Sequence, residues 1–255
     1  MELPLHEYIL TLAQIAAFAT LIVLLLASGL ARVYKCFFCY LAVELLETLL
    51  PFTISFRSVL YGWVYFAFEC TKLCFYVLIV FELYSVLLRD LKGVARLARR
   101  YSLVALGISV LLSLLVVAAL PLPRSLLRKL FYVEIPIISS LVLFILLIAG
   151  FLAYYPIPLH RNALVYAIGY VVYFLSRTAL LFIYNLKLQA SARGLSTGLL
   201  YGGLGCVIFW AIFLSRTGEM RTLSVGSRWS PPERQQQVLL RLRELNESLL
   251  EARPK

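Results

Sequence analysis

Charged residues are scarce in this sequence of 255 residues. Only 15% of them are Asp, Glu, Lys or Arg, whereas an average soluble domain has about 25%. Histidine occurs twice, at His6 and His160, and positions so far apart in the chain do not suggest a shared metal site. The five cysteines contain a single C-x-x-C spacing, from Cys36 to Cys39, and no second pair follows it. The sequence therefore implies no metal site and no cofactor.

The motifs of several common enzyme and receptor classes are also missing. The chain has no Walker A loop, no H-E-x-x-H and no G-x-S-x-G. The seventh apolar segment holds no lysine, which excludes a retinal Schiff base, and the third does not end in the D-R-Y of rhodopsin-like receptors. No set of residues argues for an enzyme.

Hydrophobic residues, in contrast, make up 62% of the chain, against about 45–50% in an average soluble domain. A soluble domain of this size could not bury so many apolar side chains, so the sequence predicts an integral membrane protein whose main partner is the lipid bilayer. The net charge of +11 is explained by basic loops on the cytoplasmic side of the membrane, and no nucleic-acid partner is inferred from it.

Seven apolar segments are long enough to cross a bilayer core of about 30 Å. With the N-terminus outside, 16 Lys and Arg fall in inner loops and the tail, and 6 in outer loops. The sequence thus predicts an all-α, seven-helix transmembrane bundle in residues 1–215, oriented N-out and C-in, and a cytoplasmic tail in residues 216–255. The segments are 8–31, 36–56, 61–88, 101–120, 131–154, 162–185 and 196–215.

Charged residues inside the predicted spans are expensive, and such residues normally find partners in the bundle interior. Glu47 and Lys72 each lie about 16 Å from the start of consecutive helices at 1.5 Å per residue. Both are therefore near the midplane, and we expect them to pair, with Glu44 nearby. Glu82 is expected to reach the basic run that begins at Arg89. The charged residues in the spans are Glu44, Glu47, Glu69, Lys72, Glu82, Glu134 and Arg177.

Arg177 lies in the outer half of the sixth predicted helix, where Glu69 and Glu134 are its candidate partners. Three tyrosines precede it on the same helix face: Tyr166, Tyr170 and Tyr173. This stripe predicts an outward-facing polar pocket that ends at Arg177. An alternative is that the buried ion pairs only fix the helix register. The charges in the spans sum to −3, so some carboxyl groups are protonated, face water or bind a cation.

The seventh segment contains small residues at every fourth position, a spacing that lets helices approach closely. Packing within the bundle is the simpler interpretation, and a homodimer contact is the alternative. The residues concerned are Gly194, Gly198 and Gly202.

The tail contains an amphipathic helix over about residues 233–251. Its apolar side chains are spaced 4, 3 and 4 apart, which is typical of a helix that docks on another surface. The surface could be the inner membrane face, a second copy or a cytoplasmic protein partner. The apolar residues are Val238, Leu242, Leu245 and Leu249.

Two stretches of the third helix and the loop after it, YGWVYFAFE at 61–69 and ELYSVLLRDLKGVARLARRY at 82–101, resemble uncharacterised seven-helix bacterial membrane proteins. The resemblance covers about a sixth of the chain. It implies a multi-pass bundle in the bacterial cytoplasmic membrane, and it brings no activity with it.

Three functions fit these patterns. The sequence favours a receptor-like or regulatory membrane protein that binds a small ligand in the outward-facing pocket and signals through a partner. The first alternative is a transporter of a small solute, a cation or protons that uses the intramembrane carboxyl groups. The second alternative is an accessory or assembly subunit without a ligand.

Overall fold

The computed structural model describes residues 5–54, 58–88, 92–119, 126–154, 158–186, 192–220, 222–224, 240, 244 and 246–248. Within these residues the fold is an all-α bundle with a short antiparallel strand pair, β1 (Pro158–His160) with β2 (Thr222–Ser224). A short helix, α8 (Arg216–Met220), follows the bundle. The long helices are α1 (Leu5–Ala27), α2 (Lys35–Thr53), α3 (Val59–Leu87), α4 (Lys92–Ala119), α5 (Leu126–Tyr154), α6 (Arg161–Leu186) and α7 (Ala192–Phe213).

Six of the long helices form a closed ring. In order around the ring, α1, α2, α3, α5, α6 and α7 each pack against the next, and α7 returns to α1. Helix α3 also contacts α6 across the ring, while α4 lies outside it against α5 and α3. Side chains of α2, α3, α5 and α6 can therefore meet in the bundle interior.

Five helices in the described part of the chain are long and apolar enough to cross a membrane, which indicates a multi-pass membrane protein. The prediction of an all-α bundle with several membrane-spanning helices is therefore confirmed for these five helices. The five candidate spans are Tyr8–Ala27, Lys35–Thr53, Val59–Leu87, Tyr132–Phe151 and Arg161–Ile183.

Several helix boundaries differ from those that hydropathy predicts. Helix α1 ends at Ala27 instead of residue 31, because Gly29 turns the chain with a φ of 74°, a conformation that glycine adopts without steric cost. Helix α4 begins at Lys92, since the Lys, Arg, Ala and Leu residues before the apolar stretch are good helix formers. The first part of the predicted tail contains α8 (Arg216–Met220) and β2 (Thr222–Ser224).

Glycines allow α7 to approach α6 closely. A Cβ atom on Gly169 would lie 2.1 Å from Nε1 of Trp210, so only glycine leaves room for the indole at this position. A Cβ atom on Gly198 would lie 2.9 Å from Leu180 of α6, and one on Gly202 would make an ordinary contact with Ser176 at 3.5 Å, whereas Gly194 has nothing within 4 Å. Two glycines of the stripe thus serve packing within the bundle.

Candidate functional site

Six charged side chains from four helices meet in the interior of the bundle, and we call them the ionic cluster. Each of the six is at most 11% exposed. All six were named from the sequence as candidate site residues. They are Glu44 and Glu47 of α2, Glu69 and Lys72 of α3, Glu134 of α5 and Arg177 of α6.

Lys72 joins α2 to α3. Its ammonium nitrogen lies 2.8 and 3.0 Å from the two carboxylate oxygens of Glu47, as the sequence predicted from the depth of both residues. It also lies 2.9 Å from Oε1 of Glu69, one turn earlier on the same helix. Glu44 is farther away, with 3.9 Å between its Oε1 and Lys72 Nζ. Of the three carboxyl groups around this lysine, that of Glu44 is the most weakly paired.

Arg177 joins α6 to α3 and α5. Its Nη2 donates to Oε2 of Glu69 at 2.7 Å, and its Nε donates to Oε1 of Glu134. Both partners are the ones predicted from the sequence. The guanidinium also lies over the ring of Tyr76, 5.7 Å from its centroid. The other oxygen of Glu134 is buried and has no hydrogen-bond partner among the described residues.

Tyrosine hydroxyl groups extend the ionic cluster. Tyr40 donates to Glu44 at 2.6 Å, and Tyr65 donates to Glu69 at 2.9 Å. The hydroxyl oxygen of Tyr173 lies 2.8 Å from that of Tyr40 and 3.1 Å from that of Tyr76. Of these four tyrosines, only Tyr173 was predicted from the sequence as a site residue.

A signal for two of the missed tyrosines is present in the sequence. Tyr40 precedes Glu44 by four residues, and Tyr65 precedes Glu69 by four. Residues at this spacing are neighbours on one helix face. A tyrosine four positions before a buried glutamate therefore marks a donor for its carboxylate.

The charges of the ionic cluster do not balance. Four carboxyl groups face two cations, so two carboxyl groups exceed the available counter-charge. An unpaired charge in a membrane interior is costly. The arrangement is therefore stable when two carboxyl groups carry protons or when further positive charge enters.

A second cluster of polar side chains lies where α2 begins and where α3 and α7 end. We call this region the α8 end of the bundle. The two carboxylate oxygens of Glu82 accept from the backbone N–H groups of Cys36 and Phe37, at 2.9 and 3.2 Å. Tyr166 donates to the same carboxylate at 3.2 Å. These bonds satisfy the first N–H groups of α2, which lack partners within the helix. The predicted contact of Glu82 with the basic run stays a prediction, because Arg89 lies outside the described residues.

The α8 end is closed by contacts between α6, α8 and the turn before α2. Asn162 donates through Nδ2 to the carbonyl oxygen of Ser215 at 2.7 Å and to Glu219 at 3.3 Å. Tyr34 donates to Oε2 of Glu219 at 3.4 Å. Burial, followed by the nearby Glu219 carboxylate, raises the pKa of the Tyr34 phenol, so this hydroxyl stays protonated and can remain a donor.

The outward-facing pocket predicted from Tyr166, Tyr170, Tyr173 and Arg177 is not formed by these residues in the described part of the chain, since all four are buried. Tyr166 and Tyr170 are fully buried, and the ring of Tyr170 packs 4.8 Å from that of Trp210. Arg177 is 6% exposed and is held by two carboxylates. The stripe faces inward because its aromatic rings fill the space between α2, α3 and α7.

Comparison of the chain with protein-family models, curated proteins and solved structures gives no match. The chemistry must therefore be inferred from the site itself. Carboxyl and phenol groups exchange protons readily, whereas no group of three or more His, Cys, Asp or Glu side chains in the described ranges is arranged to hold a metal ion. The predicted docking residues of the tail, Val238, Leu242, Leu245 and Leu249, lie outside the described residues.

Proposed function

We propose that this protein moves protons across a membrane and that Glu44 is the carboxyl group that takes up and releases them. The observation that carries the proposal is the excess of two carboxyl groups in the ionic cluster. Because a buried charge without a partner is costly, protonation of the two excess carboxyl groups is the least costly way to neutralise them. A cluster that needs protons for its own stability is suited to binding them reversibly.

Glu44 is the best candidate for the exchanging group. Glu69 has one oxygen on Lys72 and the other on Arg177, so it is held in its charged form by two cations. Glu44 lies 3.9 Å from Lys72 and accepts instead from the neutral hydroxyl of Tyr40. A hydroxyl can serve as donor to the charged carboxylate and as acceptor from the protonated one, so the site accommodates both forms.

The contacts weigh against the receptor-like function that the sequence favoured. That function relied on Arg177 and the tyrosine stripe as an outward-facing ligand pocket, and both are used in contacts within the bundle. The remaining alternative, an accessory subunit, depends on the tail helix over residues 233–251. Its cytoplasmic partner and the homodimer through Gly194, Gly198 and Gly202 stay predictions.

We further propose that all seven long helices cross the membrane, N-out and C-in, and that this membrane is the bacterial cytoplasmic membrane. Helices α4 and α7, with 28 and 22 residues, are about 42 and 33 Å long at 1.5 Å per residue. Both are long enough for a bilayer core of about 30 Å. Both also expose apolar side chains suited to lipid contact: Ile108, Leu111, Leu112 and Leu115 on α4, and Ile208 and Ile212 on α7.

Proton flux in liposomes tests the proposed function. We expect purified protein in vesicles with an imposed membrane potential to acidify or alkalinise the lumen, as reported by an enclosed pH-sensitive dye. Glu44→Gln keeps the shape of the side chain but cannot release a proton, and we expect it to reduce the flux at least about a hundredfold. Glu247→Gln, at an exposed glutamate near the C-terminus, is the matched control and should leave the flux unchanged. Flux that is absent from the native protein, or equal in Glu44→Gln, would contradict the proposal.

A further inference from the structure

Two hydrogen-bonded groups lie at different depths along α6. The first is formed by Tyr173, which is bonded to Tyr40 and lies 3.4 Å from the Glu44 carboxylate. The second is formed by Tyr166, which donates to Glu82. Tyr173 and Tyr166 are seven residues apart on one helix face, or about 10 Å along the axis. The ionic cluster and the α8 end of the bundle are thus separated by about two turns of α6.

Tyr170 occupies this interval. Its ring lies 5.0 Å from that of Tyr166 and 6.4 Å from that of Tyr173, measured between centroids. Its side chain is fully buried, yet its hydroxyl has no hydrogen-bond partner among the described residues.

A buried hydroxyl without a partner is costly, so a group that would satisfy it is expected nearby. The hydroxyl of Tyr170 makes no direct bond to that of Tyr166 or Tyr173, since it has no hydrogen-bond partner among the described residues. A water molecule in each gap would satisfy the hydroxyl, since buried waters bind where polar groups lack partners. A hydroxyl without a fixed partner can also turn its proton toward either side.

We propose that Tyr173, Tyr170 and Tyr166, with one water in each gap, form a proton path between Glu44 and Glu82. This tyrosine path rests on the proposed function and adds its route. A proton leaves the Glu44 carboxyl group, each hydroxyl and water accepts one proton and passes on its own, and the Glu82 carboxylate receives the last. One O–H bond breaks at Glu44 and one forms at Glu82, so the intermediate groups are unchanged apart from their orientation.

The end of the tyrosine path is placed for exchange with water. Glu82 is five residues before the end of α3, or about 8 Å along the axis, and its side chain is only half-buried. Glu44, in contrast, is buried. The tyrosine path therefore connects the interior carboxyl group to the water at the α8 end of the bundle.

Removal of one hydroxyl group tests the tyrosine path. Tyr170→Phe keeps the ring and its packing, and we expect it to lower the proton flux into liposomes at least about tenfold. The matched control is Tyr84→Phe, because Tyr84 is also buried but its hydroxyl donates to the carbonyl oxygen of Phe144, off the tyrosine path. That variant should retain native flux. Tyr166→Phe, which removes the donor to Glu82, is a second variant and should also lose flux.

The outcomes separate the tyrosine path from the proposed function. Native flux in both Tyr170→Phe and Tyr166→Phe, together with loss of flux in Glu44→Gln, would overturn the path and leave the function standing. Absence of flux from the native protein would overturn both. Thermal unfolding in detergent shows whether each variant is folded, and a fold defect in one of the two tyrosine variants leaves the other to decide the question.

Discussion

Replacing Arg177 with methionine should destabilise the bundle by about 3–5 kcal/mol, the usual cost of breaking a buried ion pair by removing one partner. The guanidinium holds the carboxylates of Glu69 and Glu134 from two other helices. Without it, Glu134 has no cation within salt-bridge distance among the described residues. Methionine preserves most of the volume, so the loss reflects charge and not a cavity.

Thermal unfolding of the Arg177→Met variant in detergent micelles measures this effect. Arg216→Met, at an exposed arginine of α8, is the control and should unfold like the native protein. Adding Glu134→Gln to Arg177→Met should recover part of the loss, since it removes the carboxylate that is left without a cation. An unfolding temperature equal to that of the native protein would show that Arg177 does not hold α3, α5 and α6 together.

The second large effect is expected at Lys72, which is the cation nearest to Glu47 and contacts Glu69 as well. Lys72→Met leaves both carboxylates without this ammonium group, and a loss of about 3–5 kcal/mol is again expected. The exposed Lys35 at the start of α2 provides the matched control, Lys35→Met, which should have little effect.

A rescue experiment isolates the contact between α2 and α3. Glu47→Gln in the Lys72→Met background neutralises the carboxylate that lies 2.8 Å from the ammonium group, and it should raise the unfolding temperature above that of the single variant. The coupling follows from comparing both single variants with the double one. Additive losses would mean that Lys72 and Glu47 contribute independently, in conflict with the structure.

The charge pairs could be predicted from sequence because depth in the membrane restricts the choice of partners. Glu47 and Lys72 lie at similar depths on consecutive helices, and a charge in the interior must find a counter-charge. The same argument placed Arg177 beside Glu69 and Glu134. Hydropathy also located all seven long helices, although several boundaries differ, two of them where a glycine turn or good helix formers determine the helix end.

The rest of the site depends on how the helices are rotated about their axes, which hydropathy does not determine. The tyrosine stripe of α6 is apparent in the sequence, but a stripe can face a pocket or the interior. Here the closeness of α7, permitted by Gly169 next to Trp210, encloses Tyr170 among aromatic rings. The role of Glu82 was missed for a similar reason, since its partners are backbone N–H groups that carry no sequence signal.

We expect the ionic cluster to hold exchangeable protons on the carboxyl groups that it cannot pair with cations. Infrared spectroscopy of the protein in lipid at neutral pH tests it directly, because a protonated carboxyl group has a carbonyl band that shifts when H₂O is replaced by D₂O. We predict this band in the native protein. A native spectrum without the band would contradict it.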